Sequence, residues 1–140
     1  LFRLNYAIDM RYGVLHDVAC KVRDGQEIDL SMGHVNVIWQ GDANAIALRC
    51  LAHATTPTSP INVSGPETIA IRWLAEEFAP KLAGTEAGTG WVTNTKKMVA
   101  TFGAPRVSLA QMIDWTVDWV SRSMPSHNKP THYEVRDGQY

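Results

Sequence analysis

Five histidines are the first residues to weigh, because imidazole is a common metal ligand and proton carrier near neutral pH. No two of them are four residues apart, the spacing that places two imidazoles on one helix face to bind zinc. The sequence therefore predicts no metal centre. His34 follows Gly33 beside a predicted strand and is kept as a candidate substrate-facing residue. The other four are predicted to lie on helix surfaces or in the tail: His16, His53, His127 and His132.

Glycine spacing gives no nucleotide-binding turn. Gly84, Gly88 and Gly90 read G-x-x-x-G-x-G, which is the wrong order for a dinucleotide turn, and Trp91-Val92 follows where a helix would be needed. The chain also lacks the G-x-x-x-x-G-K-[ST] sequence that cradles the phosphates of ATP or GTP. We therefore expect a plain loop over residues 85–89.

Two pairs of residues lie one helical turn apart on the same predicted helix. Asp114 and Asp118 share a face, and we expect solvated side chains there rather than paired catalytic carboxylates. Trp115 and Trp119 have the same spacing without a basic groove, which favours packing at a domain or subunit boundary over base stacking. These residue types alone predict no self-sufficient active site.

The composition is that of a globular protein. Hydrophobic residues make up 45% of the chain. It has 13 basic and 14 acidic side chains without long runs of either charge, so nucleic acid and anionic membranes are not expected partners. No apolar stretch reaches the roughly 20 residues that span a bilayer. Cys20 and Cys50 belong to no ligand motif, which predicts two reduced, packed thiols in a cytoplasmic protein.

Hydrophobic spacing predicts an α/β fold with more helix than sheet. Strands are expected near 1–5, 27–30, 35–38 and 61–63, and helices near 14–22, 42–53, 94–102 and 108–120, with a further helix after residue 64. The first five residues read as a buried parallel-type strand, which needs a partner strand reached through a crossover. We therefore expect the chain to be part of a larger protein.

Two helix starts carry capping signals. Ser64 and Glu67 have capping-box spacing and predict a helix whose buried face includes Trp73 and Phe78. Ser108 and Gln111 form a second capping box ahead of an apolar stripe that runs to residue 120.

Four short segments, each weak alone, are informative by their order. They are Arg3-Leu4-Asn5 with Arg11-Tyr12-Gly13, then residues 33–43, then residues 61–65 with 68–74, and finally residues 94–97 with 102–109. In turn they resemble R-x-F-N-x-Y-G-P, G-x-x-R-D-[FY]-[IV]-H-V-x-D-[LV], Y-N-V-G-G with S-V-x-E-L-A, and D-x-S-K-A with L-G-[WY]-x-P-x-[VTF]-[SP]-L. Those motifs are typical of the carboxy-terminal half of the extended short-chain dehydrogenase/reductases, the NAD-dependent epimerase/dehydratase family.

The resemblance implies a fold and a division of labour. Residues 1–123 would be the C-terminal substrate-binding part of an extended short-chain dehydrogenase/reductase, the last Rossmann strand plus several helices with short strands. Residues 124–140 would be an extended tail. The Rossmann N-terminal half, which holds NAD(P) and the Tyr-x-x-x-Lys pair, would be missing. No tyrosine here has a Lys four residues on, so the resemblance implies no catalytic residue in this chain.

The resemblance also implies the ligand, a sugar or a nucleotide sugar. Asn5 stands at the position whose side chain commonly hydrogen-bonds the substrate, and Arg11 follows in the loop that borders the site. With His34 these are the predicted substrate-binding residues. When Asp42 is aligned with the second Asp of G-x-x-R-D-[FY]-[IV]-H-V-x-D-[LV], Val35 stands where nucleotide-sugar enzymes have the Arg that grips the diphosphate. A substrate without a diphosphate therefore stays an open alternative.

We predict the substrate-binding portion of an NAD-dependent sugar or nucleotide-sugar epimerase/dehydratase-like enzyme, a portion that is not catalytic alone and belongs to a homo-oligomer. Two alternatives stay open. The whole protein could be a non-catalytic cofactor-sensing or scaffold protein that retains the fold. The chain could also be an independent helical interaction module that uses Trp115 and Trp119.

Overall fold

The computed structural model describes residues 1–77, 82–83, 88, 90–129, 131 and 133. In this part of the chain helices and short strands alternate, so the predicted mixed α/β class is confirmed. The helices are α1 (Val14–Arg23), α2 (Gln40–Cys50), α3 (Ile71–Glu77), α4 (Lys96–Phe102) and α5 (Leu109–Ser121), and a 3-10 turn over Leu51–His53 follows α2. The strands are β1 (Phe2–Leu4), β2 (Ala7–Ile8), β3 (Ile28–Asp29), β4 (His34–Val35), β5 (Ile38–Trp39), β6 (Ile61–Val63), β7 (Ile69–Ala70), β8 (Leu82–Ala83) and β9 (Gly90–Trp91). Among these described helices, none has the length and apolar character needed to cross a membrane.

Most of the strand pairs are parallel. β1 pairs with β6, β2 with β5 and β3 with β8, each in parallel, while β4 lies between antiparallel β7 and parallel β9. In the first pair Leu4 lies opposite Val63, so both strands end at the same edge. That edge positions the residues which follow them.

The helix α1 follows its sequence pattern closely. Its apolar residues recur every three or four positions, and Val14, Leu15 and Val18 are completely buried. The helix ends where predicted, because Gly25 adopts a left-handed conformation with φ of 64° that terminates the hydrogen-bond ladder.

Two apolar clusters hold the elements together. The first joins α1, α3, the strands around β4 and the start of α5, and the second joins α2, β5, β6 and α4. Transfer of such side chains from water contributes about 1.5–3 kcal/mol each. The second cluster contains Ile38, Ala43, Ile46, Val63, Met98 and Phe102.

The capping box of α5 is confirmed. The backbone nitrogen of Gln111 donates to Ser108 Oγ at 3.2 Å, and the backbone nitrogen of Ser108 donates to Gln111 Oε1 at 3.1 Å. The buried face contains Met112, Thr116 and Val120. Thr116 is accommodated there because its hydroxyl donates to the Met112 carbonyl at 2.7 Å.

The predicted start of the helix after residue 64 is wrong. Ser64 does not cap it, because its hydroxyl donates to the Asn36 carbonyl and the chain then forms β7 before α3 begins at Ile71. Trp73, predicted to be buried, is 42% exposed. The predicted contribution of Phe78 and most of the predicted loop at 85–89 lie outside the described residues.

The segment after α5 lies across α1. Ser126 Oγ is 2.9 Å from His16 Nε2, and the Thr131 amide and hydroxyl both donate to Asp17 Oδ2, at 3.0 and 2.5 Å. The prediction that His16 is a helix-surface residue is therefore wrong: this segment covers the ring, which is only 5% exposed. Tyr133 is buried as well.

Candidate functional site

Asn5 and Ser64 lie side by side where β1 and β6 end. The backbone nitrogen of Asn5 donates to the Val63 carbonyl at 2.9 Å and so extends the parallel ladder by one residue. In open α/β sheets, ligands bind outside the carboxyl ends of the strands. The candidate site therefore lies at the carboxyl ends of β1 and β6.

Asn36, between β4 and β5, ties this edge together. Its Oδ1 accepts hydrogen bonds from Asn5 Nδ2 and from the Thr93 amide nitrogen, both at 3.1 Å. Its Nδ2 donates to the carbonyl oxygens of Gly65 and Thr93, at 2.9 and 2.8 Å. The side chain is 1% exposed, and both of its hydrogens and both carbonyl lone pairs have partners.

The backbone beneath Asn36 is packed too closely to move freely. Ser64, which is fully buried, donates its hydroxyl to the Asn36 carbonyl at 2.8 Å. A Cβ atom at Gly65 would lie only 2.0 Å from the Val37 carbonyl oxygen, so this approach requires glycine. Asn5 thus projects from a rigid support.

A cavity of about 270 Å³ opens between the end of β1 and the loop that leads into α1. Tyr6, directly after Asn5, has a positive φ of 43°, an uncommon conformation for a bulky residue that is often found at functional sites. The cavity is lined by Leu4, Tyr6, Ala7, Ile8, Tyr12, Gly13 and Thr131. Its walls therefore include the neighbours of both Asn5 and Arg11.

Arg11 directly precedes Tyr12 and Gly13, which line this cavity, and it pairs with Asp9. Its Nη2 donates to Asp9 Oδ2 at 2.8 Å, and its amide nitrogen donates to Asp9 Oδ1 at 2.7 Å. Burial opposes ionisation of Asp9, but these hydrogen bonds outweigh it and lower the pKa of the carboxyl group. The same pairing raises the pKa of Arg11, so the guanidinium stays charged at every ordinary pH.

His34 is half-buried in β4, opposite Ala70 of β7 and Gly90 of β9. A Cβ atom at Gly90 would lie 2.2 Å from the His34 carbonyl oxygen, so the glycine lets β9 approach closely. The structure thus places His34 two residues along the chain from Asn36, the partner of Asn5. Arg11 belongs to a different loop and is held by Asp9.

A second group of reactive residue types lies at a larger cavity of about 500 Å³ beside α1. Cys20 Sγ is 3.4 Å from His16 Nε2, but burial raises the pKa of the thiol, which therefore stays protonated and weakly nucleophilic at neutral pH. Cys20 and Cys50 are both free thiols. Within the described part of the chain, no three His, Cys, Asp or Glu side chains are grouped to hold a metal ion.

Asn36 and Asp9 are site residues that the sequence reasoning missed. Asn36 interrupts an apolar run, Val35-Asn36-Val37-Ile38, and a polar side chain at such a position must find buried partners. That interruption was the available signal. Asp9 offered a weaker one, since an acid two residues before Arg11 is common in exposed turns.

Comparison with known proteins gives a fold but no sequence family. No protein-family model matches the chain, and no curated protein is similar in sequence. Solved structures do match. The Bordetella bronchiseptica enzyme WbmG, in complex with NAD and UDP, is 19% identical with a TM-score of 0.61 over 91% of this chain and 46% of its own.

Two further structures give the same picture. The Thermus thermophilus UDP-glucose 4-epimerase in complex with NAD is 17% identical with a TM-score of 0.59, covering 82% of this chain and 43% of its own. MoeE5 in complex with UDP-glucuronic acid and NAD is 14% identical with a TM-score of 0.59, covering 88% and 46%. The chain spans less than half the length of these structures, and over that length it has their fold.

Proposed function

We propose that this chain is the carboxy-terminal, substrate-binding portion of an NAD-dependent epimerase/dehydratase-like enzyme that acts on a sugar or a nucleotide sugar. Asn5, Arg11 and His34 are the residues proposed to meet the substrate. The chain would form part of the wall of the substrate pocket and would contribute no catalytic residue. The whole, longer protein would carry the activity.

One observation carries this proposal. Asn5 is fixed at the carboxyl end of a parallel strand, beside a cavity lined by its neighbours Leu4 and Tyr6 and by Tyr12, the neighbour of Arg11. Strand ends of this kind bind ligands in α/β folds. The solved structures that share the fold were determined with NAD and with UDP, UDP-glucuronic acid or UDP-glucose.

The pyrophosphate of NAD does not fit the turn from β5 into α2. β5 passes directly into α2, and the indole of Trp39 lies against Gly41, with Nε1 2.7 Å from where a Cβ atom would stand. The indole therefore fills the space beside Gly41 that a pyrophosphate would need at this helix start. In this proposal the cofactor is held by another part of the whole protein.

The charge around the site limits the substrate. Val35, at the position where the family resemblance would place an Arg, is completely buried and offers no cation. Arg11 is 49% exposed but already carries the Asp9 carboxylate as counter-ion. A diphosphate would therefore compete with Asp9 for one guanidinium, and a sugar without a diphosphate is the second candidate ligand.

Calorimetric titration of the 140-residue chain with UDP-glucose, UDP and glucose tests the binding role. We expect binding of UDP-glucose or glucose, weakened about tenfold by Asn5→Ala through loss of a substrate hydrogen bond. Asn44→Ala, an exposed asparagine on α2, is the matched control and should leave the affinity unchanged. Failure of all three ligands to bind, or equal affinities for the two variants, would refute the role.

The enzymatic claim needs the longer protein. Incubated with NAD and the sugar that binds, it should give reduced cofactor or an isomerised or dehydrated sugar. Binding without any such product would favour the non-catalytic scaffold instead.

A further inference from the structure

Asn36 is more than a satisfied core residue, because its partners fix which way its amide points. The two groups that face its Nδ2 are the carbonyl oxygens of Gly65 and Thr93, which can only accept. The Thr93 amide nitrogen that faces its Oδ1 can only donate. Three backbone groups therefore determine the orientation, and a flipped amide would lose all three hydrogen bonds.

The orientation of the Asn36 amide group also determines that of the Asn5 amide group. Because Asn36 presents its oxygen, Asn5 must present its NH2 group, and the observed contact from Asn5 Nδ2 is 3.1 Å long. A carboxamide has its oxygen and nitrogen on opposite branches of one planar group, so the Asn5 oxygen is turned away from Asn36. A carbonyl oxygen has two lone pairs and can accept from a ligand in addition to a protein donor.

We propose that Asn36 is a positioning residue for substrate binding, which orients Asn5 so that its carboxamide oxygen receives a hydrogen-bond donor of the ligand, a sugar hydroxyl. The inference rests on the proposed function of the site. It adds a residue that does not touch substrate, and it predicts which ligand group Asn5 recognises.

A double-mutant cycle on the affinity for UDP-glucose, or for glucose where only glucose binds, tests this. Asn36→Ala should weaken binding about tenfold in the wild-type background and less than about twofold when Asn5 is already Ala, because Asn36 acts only through Asn5. Asn62→Ala is the matched control, since Asn62 Nδ2 also donates to a backbone carbonyl, that of Asn94 at 3.2 Å, but at the surface. Additive losses from Asn5 and Asn36 would overturn the proposal and leave Asn36 a structural residue.

Side-chain amide exchange in the wild-type chain tests the orientation without any substitution. The Asn36 NH2 protons should exchange at least about 100-fold more slowly than those of exposed Asn44, and show couplings to the Gly65 and Thr93 carbonyl carbons. Equally fast exchange would overturn the proposal.

A failure of the proposed function can be distinguished from a failure of the positioning role of Asn36. If none of UDP-glucose, UDP and glucose binds, that function fails, and the Asn5 NH2 group becomes the readout in place of affinity. In Asn36→Ala its protons should then exchange faster than in the wild-type chain, and unchanged protection would overturn the positioning role.

Discussion

Asp9 organises the loop that borders the candidate cavity. It accepts two hydrogen bonds from Arg11, one from the backbone and one from the guanidinium, and its side chain is only 13% exposed. The same loop accepts a hydrogen bond from the His127 amide at the Arg11 carbonyl, at 3.2 Å. Ionised Asp9 is thus the acceptor that holds Arg11 in this loop.

Asp9→Asn should destabilise the chain by about 1 kcal/mol at pH 7, because a charge-assisted pair becomes a neutral one. Folding lowers the pKa of Asp9 below 3.8, so its stabilisation is complete above that pH and is lost as the pH falls through the folded-state pKa. Urea unfolding should therefore show a smaller difference between variant and wild type at pH 3 than at pH 7. A difference that grows on acidification would contradict this account. Asp114→Asn, at an exposed acid on α5, controls for removal of a charge at pH 7.

Gly65 makes a second prediction at the residue scale. Gly65→Ala would place a methyl group 2.0 Å from the Val37 carbonyl oxygen, and the backbone shift needed should cost about 2–3 kcal/mol. Gly88→Ala is the control, because Gly88 is exposed and no described atom lies within 4 Å of its Cβ position. Thermal denaturation should show a large fall in Tm for the first variant and almost none for the second. Similar Tm values would show that the backbone relaxes at Gly65.

At this scale the sequence predicted candidate residues but not their partners. Asn5 could be singled out by its motif, whereas its contact with Asn36 spans 31 residues and depends on how β1, β5 and β6 come together. Ser64 was misread for the same reason. Its hydroxyl looked like a local cap, but a buried carbonyl 28 residues away is its acceptor.

Among the elements, α1 and the segment after α5 form one unit. α1 packs against α5, and the segment then crosses α1 and contacts both His16 and Asp17. The Trp119 indole assists by donating to the Pro125 carbonyl at 2.9 Å. The segment reaches the cavity rim through Thr131, so its docking affects the candidate site.

Asp17→Ala should release this segment, because Asp17 Oδ2 is the acceptor for both the amide and the hydroxyl of Thr131. We expect the Thr131 amide proton to exchange about tenfold faster. Hydrogen exchange measured by NMR reads this directly, and Asp114→Ala removes an exposed acid from α5 as the control. Unchanged exchange at Thr131 would mean that other contacts hold the segment.

Helices with a clear stripe and matching end signals were predictable, and short ones were not. α1 and α5 carry their stops and caps within a few residues, so local sequence determines them. α3 has seven residues, and β7 precedes it because Ile69 pairs with Val35 of β4, a tertiary contact that overrides the local capping signal. Strands of two residues likewise depend on their partners.

For the whole molecule, the fold matches less than half of each solved chain it resembles. The described surface carries several exposed leucines. Leu48 and Leu51 at the end of α2 are 70% and 77% exposed, and Leu1 is 63% exposed. Leu1, Phe2 and Leu51 line one cavity of about 710 Å³. Exposed apolar surface of this kind marks an interaction site or a site of association.

We predict that the 140-residue chain self-associates through this patch of Leu1, Phe2, Leu48 and Leu51. Leu48→Glu combined with Leu51→Glu should weaken the association at least about tenfold, because two charges would be buried at the contact, while exposed positions leave the folded state intact. Val117→Glu, at a 41% exposed position on α5, adds a charge elsewhere and should leave the association unchanged. Sedimentation over a range of protein concentrations measures the strength of this association. A wild-type chain that stays monomeric, or an association weakened equally by Val117→Glu, would show that copies of this chain do not meet at the patch.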